Sequence, residues 1–203
     1  MSRGLGDVYK RQDRYLAHYK DHFYSFDWGD VHFTVLDTQL NELKEWYPDL
    51  FEREKKWAAD DLARTDKKWK VVLMHKDPLQ YAFAGREGRE EGFSPEGQEF
   101  MPVFDASHVD LVLSAHLHTY RDRGRIYDFR RAETGPYYII TGVAGDVRYP
   151  GLWKAHSLDI YFAPQPETDN YLVMEAGEDA LVVTGYTLSL IHISEPTRHL
   201  RIS

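Results

Sequence analysis

Three histidines close two apolar runs. His116 and His118 follow the stretch Val109-Asp110-Leu111-Val112-Leu113-Ser114-Ala115, two residues apart. His75 follows Trp69-Lys70-Val71-Val72-Leu73-Met74, and Pro78 stops that run soon after. Runs of this length, rich in β-branched residues, read as buried strands. In an extended segment, side chains two apart point to the same side, so His116 and His118 are expected to present both imidazoles to one site. Neutral imidazole is a common nitrogen ligand for first-row metals. Strand ends give such ligands a rigid base and a backbone free to turn. The expected chemistry is metal binding and, through a metal, activation of water.

These histidines need elements to carry them. Residues 22–27 and 31–37 read as a hairpin around Trp28-Gly29-Asp30. Residues 48–65 read as a helix with Phe51, Trp57, Ala58 and Leu62 as its apolar stripe. Residues 70–74 form the first buried strand and 109–114 the second. Residues 79–97 have no clear period and read as a surface loop. Ser94-Pro95-Glu96 has the pattern of a helix start, with Ser94 as cap and Pro95 in the first helical position, for a helix reaching Ala106. Further strands are expected at 125–127, 137–141, 171–175 and 181–185. A loop rich in Gly and Pro fills 142–169. Helices alternate with strands early and strands follow strands late, which suggests stacked sheets with helices outside.

The two ends stand apart. Residues 7–12 and 188–198 resemble in-frame translations of a sequencing-library adapter, one in each orientation. The expected organisation is therefore an adapter-like tail at 1–12, a biological segment at 13–187 and a second adapter-like tail at 188–203. The whole chain carries a formal charge of −8. Residues 1–12 hold Arg3, Lys10 and Arg11 against Asp7, and 188–203 hold Arg198 and Arg201 against Glu195. That leaves about −11 for residues 13–187. A segment this acidic lacks the cationic footprint of a nucleic-acid binder. The chain has no cysteine, which excludes disulfides and thiolate zinc sites. No apolar run approaches membrane-spanning length.

Taken together, the motifs resemble the calcineurin-like metallophosphoesterases. Leu113-Ser114-Ala115-His116-Leu117-His118 is similar to that family's Gly-His-x-His motif. Val72 to Pro78 is similar to its isolated metal-binding His strand. Tyr24 to Phe33 resembles the hairpin, and Trp57 to Leu62 the helix, that flank these motifs. The texture is nearest the purple-acid-phosphatase-like branch, and the resemblance is good over residues 20–145. It implies an α/β (α+β) four-layer αββα sandwich, here incomplete. It implies two metal ions (Fe, Zn or Mn), with His75 and His116 on one and His118 on the other. It implies a phosphate monoester or diester as substrate. The family's Asp-x-His, Gly-Asp and Gly-Asn-His motifs precede the hairpin and do not occur in residues 13–30. The general acid is likewise expected upstream, so no catalytic residue is assigned here. The chain thus reads as the C-terminal part of a phosphoesterase, itself with little activity. Ala115 stands where the family has Gly. If that position needs a positive φ, the change costs on the order of 1 kcal/mol.

Tyr120, Arg121 and His156 are the candidates for substrate contact, because Arg pairs with phosphate bidentately and residues after the His pair border the site. For Tyr120, Arg121 and Arg123 the favoured reading is nevertheless a solvated turn. Trp153 is a further candidate for the rim. His18, His22, His32, His108 and His156 read first as structural. Two other functions stay open. One is a degenerate, non-catalytic domain that binds a partner or a single metal. The other is a mononuclear metallohydrolase using His75, His116 and His118 as a facial triad.

Overall fold

The computed structural model describes residues 22–85, 87–145, 149–188 and 195–203. β1 (Tyr24–Trp28) and β2 (Val31–Val35) form the expected hairpin, with Gly29 at φ +57° in the turn. α1 (Leu40–Leu43) and α2 (Leu50–Arg64) lead to β3 (Trp69–Leu73). The stretch 79–97, expected as loop, contains a short antiparallel pair, β4 (Leu79–Gln80) with β5 (Gly92–Phe93). α3 (Pro95–Ala106) then starts as the sequence predicts, with the Ser94 hydroxyl accepting the Gly97 N–H at 3.0 Å and Pro95 in the first turn. β6 (Leu111–Ser114) follows, then β7 (Tyr120–Tyr127), β8 (Arg130–Arg131), β9 (Tyr137–Thr141) and β10 (Tyr161–Phe162). β11 (Asn170–Ala176), β12 (Leu181–Thr187) and β13 (Glu195–Ile202) close the chain.

The main sheet has the order β1-β2-β3-β6-β9-β7-β10, with β8 paired to β7. β2, β3, β6 and β9 are parallel neighbours. Parallel strands need crossovers, and α2 and α3 supply those from β2 to β3 and from β3 to β6. The carboxyl ends of the four parallel strands therefore meet at one edge of the sheet. Crevices outside such an edge are where open α/β sheets bind ligands.

Period-two alternation sorts the strand residues into two cores. Val72, Val112, Tyr138 and Ile140 face the helices, where Ala58 and Leu62 of α2 and Phe100 and Phe104 of α3 meet them. Trp69, Val71, Leu111 and Ile139 face the other way, onto Leu181 and Val183 of β12. Each fully buried aliphatic side chain here contributes roughly 1.5–3 kcal/mol relative to exposure. The resulting layers are helices, main sheet and second sheet; of the four layers expected, the second helical layer does not occur among the described residues. β13 lies within the stretch expected as a foreign tail. It pairs with β12, and its Leu200 and Ile202 are buried in the second core. No described helix is long and apolar enough to cross a membrane.

β7 differs from expectation. A strand was expected only at 125–127, with Tyr120, Arg121 and Arg123 in a solvated turn. The strand begins at Tyr120, and all three residues are buried. Their polarity is absorbed by partners far away in sequence: Asp159 for Arg121 and Asp77 for Arg123.

Candidate metal centre

The sheet register brings His75 and His116 together. Val72 pairs with Val112 and Leu73 with Leu113 across the β3–β6 ladder. The ladder continues beyond both strands: the Met74 N–H donates to the Leu113 carbonyl and the Ala115 N–H to the His75 carbonyl, each at 3.0 Å. Adjacent parallel strands that leave the sheet in step deliver adjacent side chains. His75 Nε2 and His116 Nδ1 lie 3.1 Å apart, with the rings nearly perpendicular at 78°.

The His pair is not presented by an extended strand. β6 ends at Ser114, and His116 and His118 have φ of +66° and +50°. The Leu117 N–H donates to the Ala115 carbonyl at 2.7 Å, closing a three-residue turn around His116. A central residue with positive φ makes this the strained form of the γ-turn. Each non-glycine residue held there costs on the order of 1–3 kcal/mol, and such strain persists only where surroundings enforce it. The enforcing contacts are visible. Leu117 is buried in the first core, and the Trp153 indole N–H donates to the Leu117 carbonyl at 3.0 Å. Ala115 does not have a positive φ, so the cost anticipated for it falls on the two histidines instead.

Beneath the rings lies a buried clamp. The Ser114 hydroxyl donates to the Asp77 carboxylate at 2.9 Å, and the fully buried Arg123 guanidinium pairs with the same carboxylate oxygen. Asp77 is two residues after His75 and Ser114 two before His116, so the clamp joins the roots of both ligand-bearing loops. Lys76, between them, is neutralised by Glu42 at 2.9 Å and Glu96 at 3.4 Å. Both His75 and His116 have pKa values lowered from the ordinary 6.5, first by desolvation. The positive charges of His118 and Lys76 push His75 the same way, and His75 and Lys76 do so for His116. Such imidazoles stay neutral near pH 7, the state that binds metals.

A metal fits this pair. With metal–nitrogen bonds of about 2.0–2.1 Å, two imidazole nitrogens on one ion stand about 3–3.4 Å apart, and the observed 3.1 Å falls within that span. Among the described residues no group of three or more His, Asp or Glu side chains is placed to share one ion. His118 lies to the side. Its ring packs on Tyr149 with centroids 5.1 Å apart, facing a cleft of about 130 Å³ that Arg121, Trp153 and Phe162 also line.

The remaining candidates have these positions. Arg121 pairs with Asp159 at 2.8 Å, its guanidinium flanked by Tyr81 and Phe162. The Tyr120 ring packs in the second core beside Tyr161. His156 is buried, its Nε2 bonded to the Gly92 carbonyl at 3.1 Å and its Nδ1 to the Leu158 N–H at 3.0 Å. His22 pairs with Asp37, and His32 with Asp27 and Asp61, in scaffold contacts. His108 sits just past α3 with φ +52°. His18 lies outside the described residues. Sequence reasoning missed Asp77 and Ser114. Their signal was position, each two residues from a candidate ligand.

The calcineurin-like phosphoesterase profile matches residues 4–120. This chain belongs to the calcineurin-like phosphoesterase family. Purple acid phosphatase 23 of Arabidopsis thaliana is 28% identical over 149 residues, which is 71% of this chain and 28% of that protein. Purple acid phosphatase 22 of the same plant is 32% identical over 127 residues, 61% of this chain and 27% of that protein. The chain thus spans little more than a quarter of these relatives' length. In fold it is similar to the purple acid phosphatase PPD1 of yellow lupin (Lupinus luteus) seeds. The TM-score is 0.57 at 20% identity, covering 81% of this chain and 30% of that one. Calcineurin-like phosphoesterases are metal-dependent hydrolases of phosphate esters, and the histidine edge described above lies in the part of this chain that matches them.

Proposed function

We propose that this chain is part of a dinuclear metal-dependent phosphoesterase that hydrolyses phosphate monoesters or diesters. In this reading His75 and His116 hold one ion and His118 contributes to the other, the ions being Fe, Zn or Mn. The remaining ligands and the general acid come from the family's Asp-x-His, Gly-Asp and Gly-Asn-His motifs in the parent protein. The observation that carries the reading is the 3.1 Å approach of His75 Nε2 to His116 Nδ1 at the carboxyl edge of adjacent parallel strands.

Two bound ions would offset the charge of the phosphoryl oxygens and supply hydroxide by lowering a water's pKa, to about 7 in the zinc prototype. The chain's own residues do the rest of the work described here. The depressed pKa values keep His75 and His116 neutral. The Asp77–Ser114–Arg123 clamp fixes their separation. Arg121, already neutralised by Asp159, borders the cleft at His118 and gives that wall a fixed shape.

The test is hydrolysis of an aryl phosphate by the full-length parent protein with Mn²⁺ or Zn²⁺. Turnover that disappears in His116→Ala is the expected result. Unchanged turnover in that variant contradicts the reading. Metal binding with no turnover in the intact parent supports the degenerate, non-catalytic alternative. On its own, the present chain is expected to show little or no turnover.

A further inference from the structure

Arg89 stands in a different situation from the other cations around the site. Arg121 is paired with Asp159, Arg123 with Asp77, and Lys76 with Glu42 and Glu96. Arg89 has neither a hydrogen bond nor an ion pair among the described residues, and its Nε is buried without a hydrogen-bond partner. What holds it is a shelf of two rings. Phe83 and Trp153 stack with centroids 5.2 Å apart and planes 22° from parallel. The Arg89 guanidinium lies 5.6 Å from the first ring centroid and 5.5 Å from the second.

The shelf is tied to the site. Phe83 and Trp153 form a backbone bridge, flanked by bonds from Ala84 N–H to the Leu152 carbonyl at 2.8 Å and from Lys154 N–H to the Ala82 carbonyl at 3.0 Å. The Trp153 indole bonds the Leu117 carbonyl, between His116 and His118. Arg89 and His116 line one cleft of about 300 Å³, together with Lys76 and with Glu42, Glu96 and Asp77, whose carboxylates are already paired with Lys76 and Arg123.

The physical consequence is specific. Aromatic faces attract a guanidinium without neutralising its charge. They offer it no acceptor, and its buried Nε has no hydrogen-bond partner among the described residues. The N–H groups of a guanidinium form a planar fork that matches two oxygens of a phosphate. We propose that Arg89 is a phosphate-binding residue, taking an oxyanion into the cleft beside His116. Its place in catalysis rests on the proposed reading of His116, since the captured oxyanion would then belong to the substrate. Capture itself requires no metal.

The test is a titration of the metal-free chain with inorganic phosphate, followed through the Trp153 indole N–H resonance. Binding in the millimolar range is expected, weakened about tenfold in Arg89→Gln, the low end for loss of a charged hydrogen bond. Arg89→Lys should fall between the two. Arg130→Gln, which removes an exposed arginine paired with Asp128, should leave affinity unchanged. No phosphate binding by the wild-type chain overturns the proposal, as does an affinity for Arg89→Gln within twofold of wild type. If Arg89→Gln does not fold, Arg89→Lys decides: weaker binding supports the proposal and wild-type affinity overturns it. Phosphate capture without Zn²⁺ binding at His75 would keep this inference and remove the metal reading; the reverse result would do the opposite.

Discussion

The Ser114 hydroxyl donates to the Asp77 carboxylate at 2.9 Å, which joins the end of β6 to the loop after β3 at the point where each is about to present an imidazole. Arg123, wholly buried on β7, supplies the charge that lets Asp77 sit there. Removing one partner of a buried pair leaves the other uncompensated, at a cost of about 3–5 kcal/mol. Asp77→Ala should therefore lower the urea midpoint by an amount of that order. Ser114→Ala loses one hydrogen bond to a charged group and should cost about 1.5–3 kcal/mol. Equal midpoints for Asp77→Ala and wild type would show that the clamp does not stabilise the fold.

The same loop is pressed from below by α3. A Cβ on Gly97 would stand 2.0 Å from the Pro78 carbonyl oxygen and 2.8 Å from its carbon. Backbone cannot yield as a side-chain tip can, and overpacking of this kind costs about 1–3 kcal/mol or more. Gly97→Ala should destabilise the chain and shift the His75 ring resonances. Gly92→Ala, with nothing within 4 Å of the added carbon, is the matched control. Indistinguishable melting of the two variants would refute the close approach.

Acid stability should report Asp110. Burial raises its pKa above the ordinary 3.8, against the opposing bond from the Lys70 N–H at 2.8 Å. A raised value means that the folded chain keeps a proton the unfolded chain has lost. That contribution is present in full below pH 3.8 and is lost as pH rises through the folded value. Asp110→Asn cannot ionise and escapes this loss. Its urea midpoint, taken relative to wild type, should rise between about pH 3.5 and pH 7. A difference that does not change with pH would contradict the burial argument.

How far the sequence was legible depends on the range of the interaction. His75 and His116 could be found because each closes an apolar run, and the runs are adjacent strands. The start of α3 could be found because capping by Ser94 and Pro95 is local. Arg121 and Arg123 were misread as a solvated turn because their partners, Asp159 and Asp77, lie tens of residues away and only the fold brings them together. The geometry of the His pair was also invisible. Period-two spacing implied an extended presentation, whereas the γ-turn around His116 is set by tertiary anchors, Leu117 in the core and Trp153 above it. Arg89 escaped notice for the same reason: its shelf pairs Phe83 with a residue from a distant loop.

The second sheet offers a test of the C-terminal segment. Ile202 on β13 pairs in register with Leu181, and both are almost completely buried. Truncating a buried isoleucine to alanine costs about 2–5 kcal/mol. Ile202→Ala should lower the urea midpoint accordingly. An unchanged midpoint is what a foreign tail without a structural role would give, and would show that β13 adds nothing to the fold.

Whether His75 and His116 share a metal ion is read by a Zn²⁺ titration of this chain followed through the ring-nitrogen resonances of its histidines. The signals of His75 and His116 are expected to move together with the first equivalent, chelator to reverse the change, and either His75→Ala or His116→Ala to weaken binding roughly tenfold or more, about 1.4 kcal/mol at least. Zn²⁺ that binds with unchanged affinity in both variants, or that shifts other histidines and leaves these two unmoved, would contradict a shared ion.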